Sequence, residues 1–151
     1  MKKFRLQTAL KVRERLEKLY QKALAQEVQT YQKLLDQRKV LRDSQSDNRL
    51  ALDSSKQHGF TMPQLQVRDR FEQRLQYLIE VSDEQIKQQE QMVEVKRQEL
   101  IGATQKKRVL EILKEKQERE EHELVERQEG MEADEIAQNL RRRHREPRPG
   151  L

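Results

Sequence analysis

Three histidines and one acidic run are the residues whose types could support metal binding or acid–base catalysis. His58, His122 and His144 lie in three separate regions, and no pair has the i, i+4 spacing that places two metal ligands on one helix face. The acidic run at 118–123 is interspersed with basic residues, as solvated helix faces are. Because the chain has no Cys, a thiolate metal site, a nucleophilic thiol and a disulfide are excluded. We therefore expect no metal site.

The chain also lacks the short motifs that carry nucleotide or hydrolytic chemistry. No phosphate-cradling Gly-rich loop, nucleophile elbow or zinc-protease helix motif occurs. The sequence predicts a protein that is not an enzyme, uses no cofactor and has no small-molecule substrate.

A basic cluster at Arg141–Arg148 could neutralise the phosphates of nucleic acid or anionic lipid. No aromatic residue accompanies it to stack on bases, which disfavours nucleic acid. We favour a solvated basic helix end followed by a Pro-containing stub. A protein partner and a nucleic acid remain the alternatives for this cluster.

The composition argues against a compact globule, because 33% of the residues are hydrophobic, 4% aromatic and 39% charged. Apolar runs are far shorter than the roughly 20 residues needed to span a bilayer, and no apolar signal-peptide core follows the first residues. The absence of Cys fits a reducing cytoplasm. We expect the protein to stay where it is made, or to reach a membrane only through partners.

Apolar residues recur at three- and four-residue steps from Phe4 to about Leu52, and again from Pro63 until the pattern fades near Leu140. This period is typical of helices with a narrow apolar seam. We predict an all-α fold, a single domain over 1–151 that forms a long two-helix antiparallel coiled-coil hairpin. Its parts are helix 1 at about 3–55, a turn at 57–62, helix 2 at about 63–143 and a disordered basic tail at 144–151. A homodimeric coiled coil is the alternative, since seam residues do not identify the helix they face.

The turn prediction rests on two local signals. Gly59 can adopt a positive φ to end the first helix, and Thr61–Gln64 (Thr-Met-Pro-Gln) has the pattern of a capping box. Folding back here makes residue i face roughly position 118 − i, which puts Leu41 near Tyr77. The Ser- and Asp-rich stretch at 44–55 is expected to fray or bend.

Two features mark candidate surfaces for partners. Tyr20 and Tyr31 fall in the seam and are expected to be packing residues, whereas part of the pair Phe71 and Leu75 can face a third surface, because a two-helix seam does not fully bury a Phe. Roughly 25 to 30 residues of helix 2 extend past the start of helix 1. This overhang is a candidate for partner binding.

The two ends of the chain carry a recognisable pattern. The opening Lys3–Arg13 contains Phe-x-Leu-x-x-x-Leu-x-x-Arg. Towards the other end the matching residues are Leu113–Gln117, Glu129, Met131, Glu132, Asp134, Glu135 and Ile136. On these residues the sequence resembles the FliJ family, the small coiled-coil proteins of the bacterial flagellar type III export apparatus. The equivalent protein of virulence secretion systems has a similar plan and is an alternative; the flagellar-like opening separates the two.

The resemblance implies an antiparallel coiled coil similar to the central stalk of rotary ATP synthases. Its paired ends would sit in the pore of the hexameric export ATPase and promote ring assembly and ATP hydrolysis without hydrolysing ATP. Further implied partners are the cytoplasmic domain of the export gate membrane protein and empty export chaperones. The implied location is cytoplasmic, peripherally associated with the inner membrane at the flagellar base. The alternative function is a passive coiled-coil scaffold, which would change no partner's activity.

Site residues are carried over by position. The ring-facing part is about residues 3–20 with 105–140, and the gate-facing surface follows a similar Phe-x-x-x-Leu on the second helix. The ring-facing candidates are Phe4, Leu6, Leu10, Arg13, Leu113, Leu124, Asp134 and Glu135; the gate-facing candidates are Phe71, Leu75 and Leu78.

Overall fold

The computed structural model describes residues 3–145, which form two α-helices. α1 comprises Gln7–His58 and α2 comprises Met62–Arg145. The two helices pack against each other as a hairpin, and residues 3–145 contain no strand. The predicted all-α hairpin is therefore confirmed, and α1 finds its seam partner in α2 of the same chain.

α1 is continuous through the Ser- and Asp-rich stretch at 44–55, so the expected fraying is wrong. The side chains of Gln45, Asn48 and Arg49 all hydrogen-bond to the Glu72 carboxylate on α2. Polar side chains weaken a helix when they compete for its backbone hydrogen bonds. Here Asn48, one of the short polar side chains in this stretch, is bonded to α2 instead.

A three-residue connection reverses the chain. Gly59 has a φ of 79°, a left-handed conformation that needs no Cβ. The Thr61 backbone N–H donates to the Gln64 side-chain oxygen at 3.1 Å, and the Gln64 N–H donates to the Thr61 hydroxyl at 3.5 Å. This reciprocal pair confirms the predicted capping box. Pro63 lies in the first turn of α2, where its missing N–H is not needed.

α2 reaches further than the predicted end at about 143. His144 and Arg145 are helical, although both were assigned to a disordered tail. The rest of that predicted tail, 146–151, lies outside the described residues.

The chain divides into two compact units. The turn unit is Arg15–Thr104, and the terminal unit is Met1–Glu14 with Gln105–Leu151. In the turn unit, Ile79, Ile86 and Val93 are buried at successive seven-residue intervals on α2. A seven-residue repeat keeps one face of a helix against its neighbour, as in coiled coils.

Side-chain contacts in the turn unit establish an antiparallel register. The Tyr31 hydroxyl donates to Glu90 at 2.9 Å, and the Arg38 guanidinium lies 3.1 Å from the Asp83 carboxylate. The sequence predicted that residue i faces position 118 − i, which places position 87 opposite Tyr31. The observed partner, Glu90, is three residues further along α2, less than one helical turn. The bond to Glu90, and then desolvation, raise the pKa of Tyr31 above its ordinary value.

The sequence predicted which positions of the two helices lie opposite each other more accurately than it predicted which side of α2 faces α1. Tyr77, expected beside Leu41, is exposed, and Ile79 occupies the seam instead. Two residues correspond to about 200° of rotation, so a small error of phase exchanges a seam residue for a surface residue. Tyr20 and Tyr31 are half-buried, as expected for packing residues.

Several seam positions near the turn are polar, and Asn48 is their centre. Its side chain is 2% exposed. The side-chain amide nitrogen of Asn48 donates to the Glu72 carboxylate at 3.1 Å. The Arg68 guanidinium donates to the side-chain oxygen of Asn48 at 3.2 Å. A buried polar residue that is satisfied in only one alignment fixes the register of a coiled coil.

We predict that Asn48→Ala lowers the free energy of unfolding by about 1–3 kcal/mol, because Glu72 and Arg68 each lose a buried hydrogen-bond partner. Urea denaturation followed by circular dichroism measures the change. The matched control is Asp47→Ala, since Asp47 is the exposed neighbour in the same helix. Equal stability of the two variants would contradict the assigned role of Asn48.

Candidate partner-binding surfaces

The residues just before α1 help to form an open groove in the terminal unit. Phe4 and Leu6 line this groove together with Leu113, Lys116 and Glu120 of α2. Phe4 is half-buried, while Leu6 and Leu113 are exposed. The groove therefore presents apolar side chains beside charged ones, a combination that suits a protein partner.

Leu10 has a different position from its neighbours in the predicted ring-facing set. It is 3% exposed, so its side chain is part of the packed interior of the terminal unit. Arg13, one turn further along α1, is half-buried. These two residues can support a binding surface, but Leu10 does not offer its side chain to a partner.

Within residues 3–145, no second helix packs against the C-terminal part of α2. Every side chain from 122 to 145 is exposed, and we call this segment the overhang. Its large apolar residues are Leu124, Val125, Met131, Ile136 and Leu140. An amphipathic helix normally buries its apolar stripe, so this exposure marks a surface for a partner.

The apolar residues of the overhang lie on two faces. Leu113, Leu124 and Met131 are separated by 11 and 7 residues, which are close to whole numbers of turns, so they share one side of α2. Ile136 and Leu140 lie on the opposite side. Sequence analysis had not assigned the first face as a unit, although this spacing is visible in the sequence.

Charges along the same helix are segregated. Residues 118–135 carry nine acidic and two basic side chains, whereas 141–145 contain four Arg and no acidic residue. Asp134 and Glu135 are both exposed. The overhang thus presents an acidic part followed by a basic end.

The turn unit carries a separate exposed stripe on the outer side of α2. Val67, Phe71, Arg74, Leu78 and Val81 follow each other at steps of four and three residues, the spacing of one helix face. Phe71 is 45% exposed, Leu78 is half-buried, and Val67 and Val81 are exposed. We call these five residues the outer stripe. Val67 and Val81 extend the predicted gate-facing set, and their spacing from Phe71 is the sequence signal that identifies them.

Leu75 does not belong to this stripe. It is 4% exposed and packs in the seam, so the predicted Phe-x-x-x-Leu pair divides into one surface residue and one interior residue. The four-residue step rotates the helix by about 40°, enough here to carry Leu75 into the seam while Phe71 stays outside.

The structure brings together no group suited to metal binding within residues 3–145. The imidazole of His122 lies 3.5 Å from the Glu126 carboxylate on the same exposed helix face. Arg108 donates to Glu111 at 3.3 Å and to Glu115 at 3.2 Å, and these bonds raise the pKa of its guanidinium. Such ion pairs between neighbouring turns are typical of solvated helix surfaces.

The described residues also contain no helix apolar enough to cross a bilayer. Gly102 and Gly130 have open space where a Cβ would be, so neither marks a close approach of another chain segment.

Comparison with protein families decides the identity. A family model described as the flagellar FliJ protein matches residues 1–146. The chain belongs to the FliJ family. No curated protein and no solved structure gives a significant match.

Membership makes this chain a coiled-coil protein associated with flagellar export, and the FliJ family is non-catalytic. The match covers both the terminal unit and the turn unit. All eight predicted ring-facing residues fall in the terminal unit, and all three predicted gate-facing residues fall in the turn unit.

Proposed function

We propose that this FliJ-family chain is the non-catalytic stalk of the flagellar export ATPase, and that the terminal unit enters the pore of the hexameric ring. The exposed overhang carries this proposal, because it is an unpartnered single helix with apolar side chains open to solvent. A ring pore supplies the apolar and polar surroundings that the overhang lacks within its own chain.

The face formed by Leu113, Leu124 and Met131 is the proposed contact with the ring. Phe4 and Leu6 add to it through the groove that they line just before α1. Leu10 acts indirectly, because its burial packs the start of α1 in the terminal unit. Asp134 and Glu135 supply negative charge for basic groups on the ring, which favours fast and oriented association.

The direct test is the ATP hydrolysis rate of the cognate export ATPase, titrated with the full chain near the concentration at which the ring assembles. We expect stimulation that saturates at a substoichiometric ratio to ATPase subunits. The double variant Leu113→Glu with Leu124→Glu should raise the half-saturating concentration at least about tenfold, since two apolar contacts become charged.

The matched control for this titration is Val40→Glu with Leu50→Glu. Both residues are exposed and lie in the turn unit, so the control adds the same charge at solvent-facing positions elsewhere. It should stimulate as the unmodified chain does. Absence of stimulation by the unmodified chain, or equal loss in both double variants, would refute the ring-facing assignment.

The proposed gate-facing surface is the outer stripe. Phe71 is its largest side chain, and aromatic residues often dominate binding energy at interfaces. Arg74 lies between Phe71 and Leu78 and adds a positive charge to an otherwise apolar strip. Leu75 holds α2 in the seam beneath the stripe and is not itself a contact.

Phe71→Ala should weaken binding to the cytoplasmic domain of the export gate protein at least about tenfold, which corresponds to the loss of a moderate interface anchor. Calorimetric titration measures the affinity. Val28→Ala is the control, because Val28 is an apolar residue of the turn unit that is as exposed as Phe71 but lies on α1. Unchanged affinity of the Phe71 variant, with normal helicity, would exclude the outer stripe as the gate contact.

The proposal also includes the remaining roles implied by the family. The chain would bind empty export chaperones and be held peripherally at the inner membrane through its partners. Family membership supports these roles.

A further inference from the structure

We propose that the overhang is a self-association surface, on which a second copy of this chain packs antiparallel along residues 125–144. This surface is distinct from the proposed ring-facing face and does not depend on the proposed function. We infer that the partner is a second copy of the chain from the distribution of charged and apolar residues along one exposed helix.

The apolar contact would be made by Ala133, Ile136 and Leu140. These residues follow each other at three- and four-residue steps, so they lie on one side of α2. Ile136 and Leu140 are among the exposed large apolar residues of the chain. Since each residue turns the helix by about 100°, this side lies nearly opposite Leu124 and Met131.

Charge selects a second copy in the antiparallel orientation. Glu126 precedes the apolar contact on this side of α2, and Arg143 follows it. In a parallel pair each charged residue would face the same residue of the other copy. Such pairs of like charge are unfavourable. In an antiparallel pair the acidic part of one overhang faces the basic end of the other.

A two-fold axis between residues 134 and 135 satisfies both requirements. It places Ala133 opposite Ile136 of the other copy, Glu126 opposite Arg143, and Leu140 opposite Glu129, so the apolar contact is centred on Ala133 and Ile136. The symmetric arrangement makes each contact twice, as closed dimers do. Asp134 and Glu135, although next to the axis along the chain, point away from this side of the helix and remain open.

Pairing would also stabilise the overhang, because this part of α2 has little packing of its own. Among residues 3–145 the segment 122–145 packs against no other segment, and it includes Gly130, whose conformational freedom disfavours a helix interior. In proteins most of the stability of a helix comes from packing of its apolar face, and the apolar residues of this segment are exposed. The contact is small, so the association belongs in the transient class, below about 1,200 Å² of buried surface.

The experiment is sedimentation equilibrium of the full chain at low salt, over a concentration range that reaches millimolar. The unmodified chain should shift from 18.3 kDa towards twice that mass. Glu126→Arg and Arg143→Glu, each alone, should weaken the dimer at least about tenfold, because every charge pair becomes like with like. An equimolar mixture of these two variants should dimerise again, since the arginine introduced in one chain would then face the glutamate introduced in the other.

A second pair of variants tests the apolar side without changing the charge pairs. Ile136→Glu should weaken self-association at least about tenfold, whereas Met131→Glu should leave it unchanged within about twofold. Glu is a good helix former, so both variants should keep their helicity. A chain that stays monomeric throughout, single charge variants that still dimerise, or a mixture that does not recover would each overturn the proposal. None of these readouts involves the ATPase, so they are separate from the stalk test.

Discussion

The short connection between His58 and Met62 and the buried polar cluster at Asn48 constrain everything else in this chain. Gly59 and the Thr61–Gln64 capping box reverse the backbone within three residues. Asn48 then finds both Glu72 and Arg68 only in one alignment of the helices. Because the register is fixed at this point, the positions that line the seam are fixed along the rest of the turn unit.

Both proposed binding roles depend on the unequal lengths of the two helices. α1 has 52 residues and α2 has 84, and the end of α2 has no neighbour in the part of the chain that the structure describes. A globular protein would bury Ile136 and Leu140, but here they face solvent with Leu124 and Met131. The stalk proposal and the self-association proposal use opposite faces of this one unpartnered helix.

The seam is adapted to a protein that works through partners. Many of its positions are polar, and Gln89, for example, donates to the Glu27 carboxylate at 2.6 Å. Such pairs add specificity of alignment while contributing less stabilisation than apolar packing. Apolar residues that are not needed in the seam, such as those of the outer stripe, are then free to form external surfaces.

The sequence was sufficient to predict the helices, the turn and the approximate register. Helix period and capping are local properties, and Gly59 and Thr61 carry strong local signals. Helical phase was harder: Tyr77 was expected near the seam, yet Ile79 lies there. With polar residues such as Asn48 in the seam and apolar residues such as Val67 outside it, hydrophobicity alone does not identify the buried face.

The candidate surfaces depended more on the structure than the fold did. Family resemblance assigned Leu10 and Leu75 to partner contacts, and both are buried packing residues. Burial depends on the phase of each helix against its neighbour, which no local motif encodes. The overhang was foreseen from the two helix lengths, but its two opposite apolar faces became clear only when the exposed residues were known.

Hydrogen exchange of the chain, alone and bound to the export ATPase, tests the central claim that the overhang lacks a partner within its own chain and acquires one in the ring. At concentrations low enough to keep the chain monomeric, backbone amides of 122–145 should exchange much faster than those of the seam around Ile79 and Ile86. They should become protected when the ATPase is added. Slow exchange of 122–145 in the free monomer, or no added protection in the complex, would contradict the account.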